Sequence, residues 1–213
     1  MTKKHTIISN LKENFLFAVI RGSSAEEATE ISEAVYEGGI KNIEVTFTTP
    51  QADESIKALS KKYAGTDMVV GAGTVMDAVT ARIAIIAGAE FIVSPNFVPE
   101  ISTMCNTYGI PYLPGCGTVT EIADAMATGV EVVKAFPGGI LGPDFVKNVH
   151  GPIPHAEIMP SGGVSLDNMD KWVEAGAWAV GIGSALTKGM KENGLDQVKE
   201  NALTFVKKFE ELK

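Results

Sequence analysis

Residues 129–139 read GVEVVKAFPGG: a glycine, an apolar run with a glutamate at its start and a lysine in its middle, and a Pro-Gly-Gly breaker. A glycine just past a helix end is the usual C-terminal cap. The run after it is nearly continuous in its apolar character rather than alternating. That is how a parallel strand reads when helices cover its sheet. The stretch is therefore the join between a helix and a buried parallel strand.

The join recurs. Gly39, Gly65, Gly88, Gly109, Gly129, Gly151 and Gly176 fall about 20–26 residues apart. Each closes a helically patterned stretch. Each is followed by a short β-rich or apolar run: NIEVTF, MVVGAG, EFIVS, PYLPG, EVVKAF, AEIMP and WAVGIG. One further run, FLFAVIR at 15–21, precedes the first glycine. Two helix starts carry a capping box, Ser24 with Glu27 and Thr118 with Glu121. Eight evenly spaced strand–helix units predict an α/β chain folded as a (β/α)8 TIM barrel of parallel strands. Additional helices are expected at 5–14 and 195–212. An open doubly wound sheet is the alternative; the even beat and the eight units favour the barrel. The 213 residues, 45% hydrophobic, suit a single domain over 1–213.

Composition narrows the function classes. The formal net charge is −8 and the basic residues are scattered, so no nucleic-acid partner is expected. No apolar run approaches the ~20 residues that span a bilayer, so neither is a membrane partner. The N-terminal stretch has no signal-peptide pattern. Cys105 and Cys116 form no CxxC motif and are too few for a disulfide framework; a reducing, cytoplasmic location is expected. His5, His150 and His155 make no ligand pattern, so neither a metal nor another cofactor is expected. There is no GxSxG elbow, and Cys116 has no histidine at its rim to activate it.

In a barrel of this kind the chemistry lies at the C-terminal ends of the strands. The turns there read RGSS, TFTTP, GAGT, SPN, PGCGT, FPGG, PSGG and GIGS. Few charges enter the strands themselves. Glu90, Glu131 and Glu157 stand at strand starts, at the opposite end, and are expected to be solvated. Arg21, Glu44 and Lys134 remain. Lys134 reads structurally as a stem packed in the wall with its head in solvent. It reads chemically as a Schiff-base lysine, because a desolvated amine is more easily held uncharged and able to attack a carbonyl. Glu44 reads structurally as a buried glutamate held by Arg21, and chemically as a general acid/base. An isolated cation and an isolated acid on different strands of one barrel favour the chemical reading for both.

Val132, Lys134 and Phe136 share one strand face. The PSGG and GIGS turns offer glycine amides to a phosphate, through Ser161, Gly162, Gly163, Gly183 and Ser184. Thr74 offers a hydroxyl and an amide to an anion, and Pro95 of the SPN turn joins the rim candidates.

The ordered set IEVTF, GAGTV, FIVSPN, LPGCGTVTE, VVKAFP, PSGG and GIGSAL, from about residue 15 to about residue 190, resembles the KDPG/KHG aldolase family. That resemblance implies a class I pyruvate aldolase on a (β/α)8 barrel, usually a homotrimer, acting on a small-molecule keto acid. It implies Lys134 as the Schiff-base lysine and Glu44 as the general acid/base. It implies Thr74 at the pyruvate carboxylate, with Ser161-Gly162-Gly163 and Gly183-Ser184 at the phosphate. Two positions depart from the family pattern. Thr48 stands where many members have a carboxylate-binding arginine, for which Arg21 is the candidate replacement. Ser161 stands where many have threonine.

The implied reaction cleaves 2-keto-3-deoxy-6-phosphogluconate (KDPG) to pyruvate and glyceraldehyde 3-phosphate, or 4-hydroxy-2-oxoglutarate (KHG) to pyruvate and glyoxylate. The alternatives are an aldolase for the galactonate epimer and a non-catalytic phosphosugar-binding barrel. A metal-dependent aldolase lacks candidate ligands.

Overall fold

A computed structural model describes residues 2–213. The chain runs α1 (Lys3–Asn14), β1 (Leu16–Ile20), α2 (Ala25–Glu37), β2 (Asn42–Thr46), α3 (Ala52–Lys62), β3 (Val69–Gly73) and α4 (Ala78–Ala87). It continues through β4 (Ile92–Val93), α5 (Pro99–Tyr108), β5 (Tyr112–Leu113), β6 (Gly115–Cys116), α6 (Val119–Ala127) and β7 (Val132–Ala135). It ends with α7 (Gly138–Leu141), α8 (Pro143–Val149), β8 (Glu157–Pro160), α9 (Met169–Glu174), β9 (Val180–Ile182) and α10 (Met190–Leu212).

The glycine beat is real backbone chemistry. All seven glycines but Gly151 have positive φ, and Gly88, at 110°, closes α4 in the left-handed region that a side chain disfavours. The two predicted capping boxes form. Ser24 Oγ accepts from Glu27 N–H, and Thr118 Oγ1 accepts from Glu121 N–H, each at 3.2 Å. Each glutamate reaches back one residue further than expected: Gly117 N–H donates to Glu121 Oε2 at 2.8 Å.

All paired strands are parallel. They form two curled sheets, of order β5-β4-β3-β2-β1-β9 and β6-β7-β8. Neighbouring strands are mostly neighbours in sequence, as strand–helix–strand units demand. The single fifth strand expected at PYLPG is two. Pro114 has no N–H to give to a ladder, so pairing passes there from β4 on one side to β7 on the other. A bridge between Ser161 and Gly181 joins the edges at β8 and β9.

Strand residues are buried throughout, which explains their continuous apolar reading. Phe17 and Phe91 meet edge to face, centroids 5.5 Å apart at 80°. Gly71 of β3 makes room for that pair, because a Cβ there would stand 2.5 Å from the Phe91 ring. The N-terminal helix is pinned to β2 by a buried amide. Asn42 Nδ2 donates to Leu11 O at 3.0 Å, and Asn42 Oδ1 accepts from Asn14 Nδ2 at 2.9 Å. Of the three far-end glutamates, Glu131 is exposed and Glu90 and Glu157 are partly exposed, and two of them have ion partners. Glu131 pairs with Lys4 at 2.9 Å and Glu157 with Lys12 at 3.0 Å, so α1 supplies their partners. The predicted C-terminal helix begins earlier, at Met190, with a break at Gly194 that leaves its main body where it was expected.

Filling the space kept by Gly71 is expected to strain this layer. Gly71→Ala should destabilise the fold by about 1–3 kcal/mol in denaturant titrations. Phe91→Leu in that background should recover part of the loss, giving a non-additive pair. Full additivity would mean that the two residues do not compete for one space.

Candidate active site

Glu44 and Lys134 come from opposite parts of the chain and meet. Glu44 stands in register between Val19 of β1 and Gly71 of β3. Lys134 stands between Gly115 of β6 and Met159 of β8, its N–H donating to Pro114 O at 2.8 Å. Lys134 Nζ lies 3.8 Å from Glu44 Oε1, and the two side chains are only 7% and 1% exposed. At that distance the contact is an ion pair rather than a hydrogen bond. Neither carboxylate oxygen of Glu44 has a hydrogen-bond partner among the described residues.

Burial therefore pushes the Glu44 carboxyl above its ordinary value of 4.5; the nearby charges of Lys134 and then Arg21 oppose the shift without cancelling it. Gly73, the last residue of β3, keeps the space for this carboxylate, since a Cβ there would collide with Glu44 Oε1. The Lys134 ammonium also stands 5.1 Å from the centre of the Phe136 ring.

A cleft of about 550 Å³ opens beside the pair. That volume suits a small organic ligand. Arg21, Lys134, Phe136 and Ser161 line it, with Gly162-Gly163 on one loop and Gly183-Ser184 on another. Among the described residues no acidic side chain lines it. In a chain of net charge −8 this is a local reversal of sign, suited to an anion.

The sequence profile described as "Aldolase: KDPG and KHG aldolase" matches residues 7–201. The chain belongs to the KDPG and KHG aldolase family. It thereby joins the carbon–carbon lyases. A 2-dehydro-3-deoxy-6-phosphogalactonate aldolase of Escherichia coli (strain K12) is 31% identical over 197 residues, covering 92% of this chain and 95% of its own. A 2-dehydro-3-deoxy-phosphogluconate aldolase of Treponema pallidum (strain Nichols) is 35% identical over 183 residues, covering 82% and 86%. The crystal structure of KDPG aldolase from Legionella pneumophila, with pyruvate captured at low pH as a covalent carbinolamine intermediate, superposes with a TM-score of 0.83. It is 25% identical and covers 96% of this chain and 98% of its own.

Four of the expected site residues do not line the cleft: Glu44, which touches it only through Lys134, and Thr48, Pro95 and Thr74. Thr48 is exposed, and its hydroxyl lies 2.8 Å from that of Thr46, which in turn donates to Ile20 O at 2.9 Å. Pro95 presses its carbonyl against Gly115, where a Cβ would clash with it. Thr74 follows Gly73 with φ at 55°, a backbone that a β-branched residue rarely adopts. Arg21 is not the partner that holds Glu44; that place is taken by Lys134 from across the fold. Cys116 is buried, and burial pushes its thiol up to about 12, which leaves it no thiolate at neutral pH.

The cleft also contains residues that the motifs did not single out. Val19, Ser165 and Lys188 line it. For Lys188 a signal existed: it is a lone cation just past the GIGS turn. Among the described residues no three His, Cys, Asp or Glu side chains converge as metal ligands, and no helix is long and apolar enough to cross a membrane.

The raised carboxyl has a consequence for stability. A group protonated more readily in the folded than in the unfolded state loses stability as pH rises above its unfolded value. Glu44→Gln removes that titration. Denaturant unfolding from pH 4 to pH 8 should show the variant gaining on the wild type as pH rises beyond the ordinary carboxylate value of 4.5. A stability difference that is flat with pH, or that shrinks, would contradict the burial argument.

Proposed function

We propose that this chain is a class I aldolase that cleaves 2-keto-3-deoxy-6-phosphogluconate to pyruvate and glyceraldehyde 3-phosphate, and 4-hydroxy-2-oxoglutarate to pyruvate and glyoxylate. The observation that carries this reading is the buried Lys134–Glu44 pair, 3.8 Å apart, whose lysine lines a cationic cleft while its glutamate lies behind it.

Lys134 passes a proton to Glu44 and its free amine attacks the C2 ketone; Glu44 returns that proton to the carbinolamine hydroxyl, which leaves as water and gives the imine. The protonated imine is an electron sink. Glu44, through a water, takes the proton of the C4 hydroxyl. The C3–C4 bond breaks; its electrons pass into the imine, the aldehyde leaves, and an enamine of pyruvate remains. Glu44 returns a proton to C3, and water releases pyruvate from Lys134. A carboxyl raised by burial holds a proton more readily than an ordinary one, which suits a group that must both take and return a proton. Arg21 takes the substrate carboxylate in place of the arginine missing at Thr48. Phe136 shapes the pyruvate end of the cleft, with Thr74 and Pro95 supporting it from outside the lining. Ser161, Gly162, Gly163, Gly183 and Ser184 hold the phosphate through backbone amides and hydroxyls. The carbinolamine of the Legionella relative supports the covalent step.

The galactonate epimer is the second reading. It is favoured by the Escherichia coli relative, a phosphogalactonate aldolase that matches 92% of this chain.

The same proposal extends to the whole molecule. The bridge at Ser161–Gly181 and the handover at Pro114 support the two sheets acting as one closed (β/α)8 barrel. Family resemblance and the exposed apolar side chains Met76, Val79, Ile83 and Ile86 on and beside α4 support a homotrimer. The free cysteines Cys105 and Cys116 support a cytoplasmic location.

Borohydride tests the reading. Reduction in the presence of pyruvate should leave a stable secondary amine that peptide mass spectrometry maps to Lys134. Lys134→Arg should abolish both trapping and turnover, because a guanidinium does not give up its proton to become a nucleophile. Labelling at another lysine, or none, sinks the mechanism.

A further inference from the structure

Lys188 is a cation at the cleft that has no ion pair and no side-chain hydrogen bond among the described residues. Its backbone is held with unusual completeness. Asn201 Nδ2 of α10 donates to both Leu186 O and Lys188 O, each at 2.9 Å. Asn201 Oδ1 accepts from Gln197 Nε2 at 3.1 Å, and Gln197 Oε1 accepts from Asn193 Nδ2 at 3.2 Å. Both donors of the Asn201 amide are spent on one loop, and its oxygen is oriented by the next amide on the same helix face. This loop runs from Ser184 to Gly189, so it begins beside the Gly162-Gly163 turn and ends just past Lys188.

Among the described residues the cleft thus has three cations, Arg21, Lys134 and Lys188, and no acidic lining residue. Lys134 is committed to the buried carboxylate at 3.8 Å. Arg21 stands close enough to Glu44 for its charge to act on that carboxyl. Lys188 is left over, on the side of the glycine turns. We propose that Lys188 is a specificity-determining residue that recognises the distal dianion of the substrate, and that Asn201 is the positioning residue that fixes it there. The proposal rests on the aldolase reading above and adds to it a charged side chain that separates phosphorylated from unphosphorylated keto acids.

The test compares wild type, Lys188→Ala, Asn201→Asp and the double variant on KDPG and on KHG, whose distal end has no phosphate. Lys188→Ala should lower the ratio of kcat/KM for KDPG to that for KHG about tenfold, through KM rather than kcat, as expected for a lost charged contact. Lys188→Arg should restore most of the ratio. Asn201→Asp turns two donors into acceptors facing carbonyls, so it should lower the ratio in the same direction. The double variant should be no worse than Lys188→Ala, because both act through one contact. Equal losses on both substrates, or an unchanged ratio in Lys188→Ala, overturn the role of Lys188. Additive losses overturn that of Asn201.

Inorganic phosphate, titrated by ³¹P NMR, gives an arm that needs no turnover. Binding to wild type that is lost in Lys188→Ala supports the site; equal binding to both, or to neither, overturns it. Pyruvate trapping at Lys134 in the same variants reports separately on the aldolase reading.

Discussion

A carboxylate without a hydrogen bond, buried 3.8 Å from one ammonium, is the constraint around which the rest of this structure is arranged. Removing two charges from water costs more than their attraction returns unless the surroundings compensate. Here the compensation is sparse: Lys134 nearby and Arg21 further off. The fold holds the pair in place by rigid means. Both residues lie within hydrogen-bonded parallel strands with buried neighbours on each side. Such a site is a poor source of stability and a good place for proton transfer, because neither protonation state of Glu44 is locked by hydrogen bonds.

Glycine does two jobs around it, and only one is about turns. Along the helix ends glycine supplies positive φ. In β3 it supplies absence: Gly71 leaves room for the Phe91 ring, and Gly73 leaves room for the Glu44 carboxylate. A strand reading VVGAG is weak by propensity. It holds because its missing side chains are replaced by Glu44 of β2 and by Phe91, just before β4.

Much of this was legible in the sequence, and for definite reasons. The capping glycines and the apolar runs are local signals, so the order of helices and strands followed from them. Lys134 and Glu44 stood out because a charge in a buried strand is rare. What stayed hidden depends on tertiary neighbours. The GAGT turn read as a loop for an anion, whereas two of its residues, Gly71 and Gly73, are spacers. Arg21 looked like the partner of Glu44 because its strand is adjacent, yet the partner comes from across the fold. Lys4 and Lys12 gave no sign of reaching Glu131 and Glu157. Pro114 split a strand that read as one. Lys188 sits in a loop whose place at the cleft, and whose tie to Asn201 of the last helix, only the tertiary structure reveals.

The central claim is that Lys134 and Glu44 divide the chemistry, one forming the covalent bond and the other moving the proton. Deuterium exchange into the methyl group of pyruvate, followed by NMR in D2O, measures the proton step alone. Glu44→Gln should still form the imine with pyruvate while its exchange rate falls about 10²–10⁴-fold below wild type. Exchange at the wild-type rate in that variant would contradict the account and leave Glu44 as a structural residue.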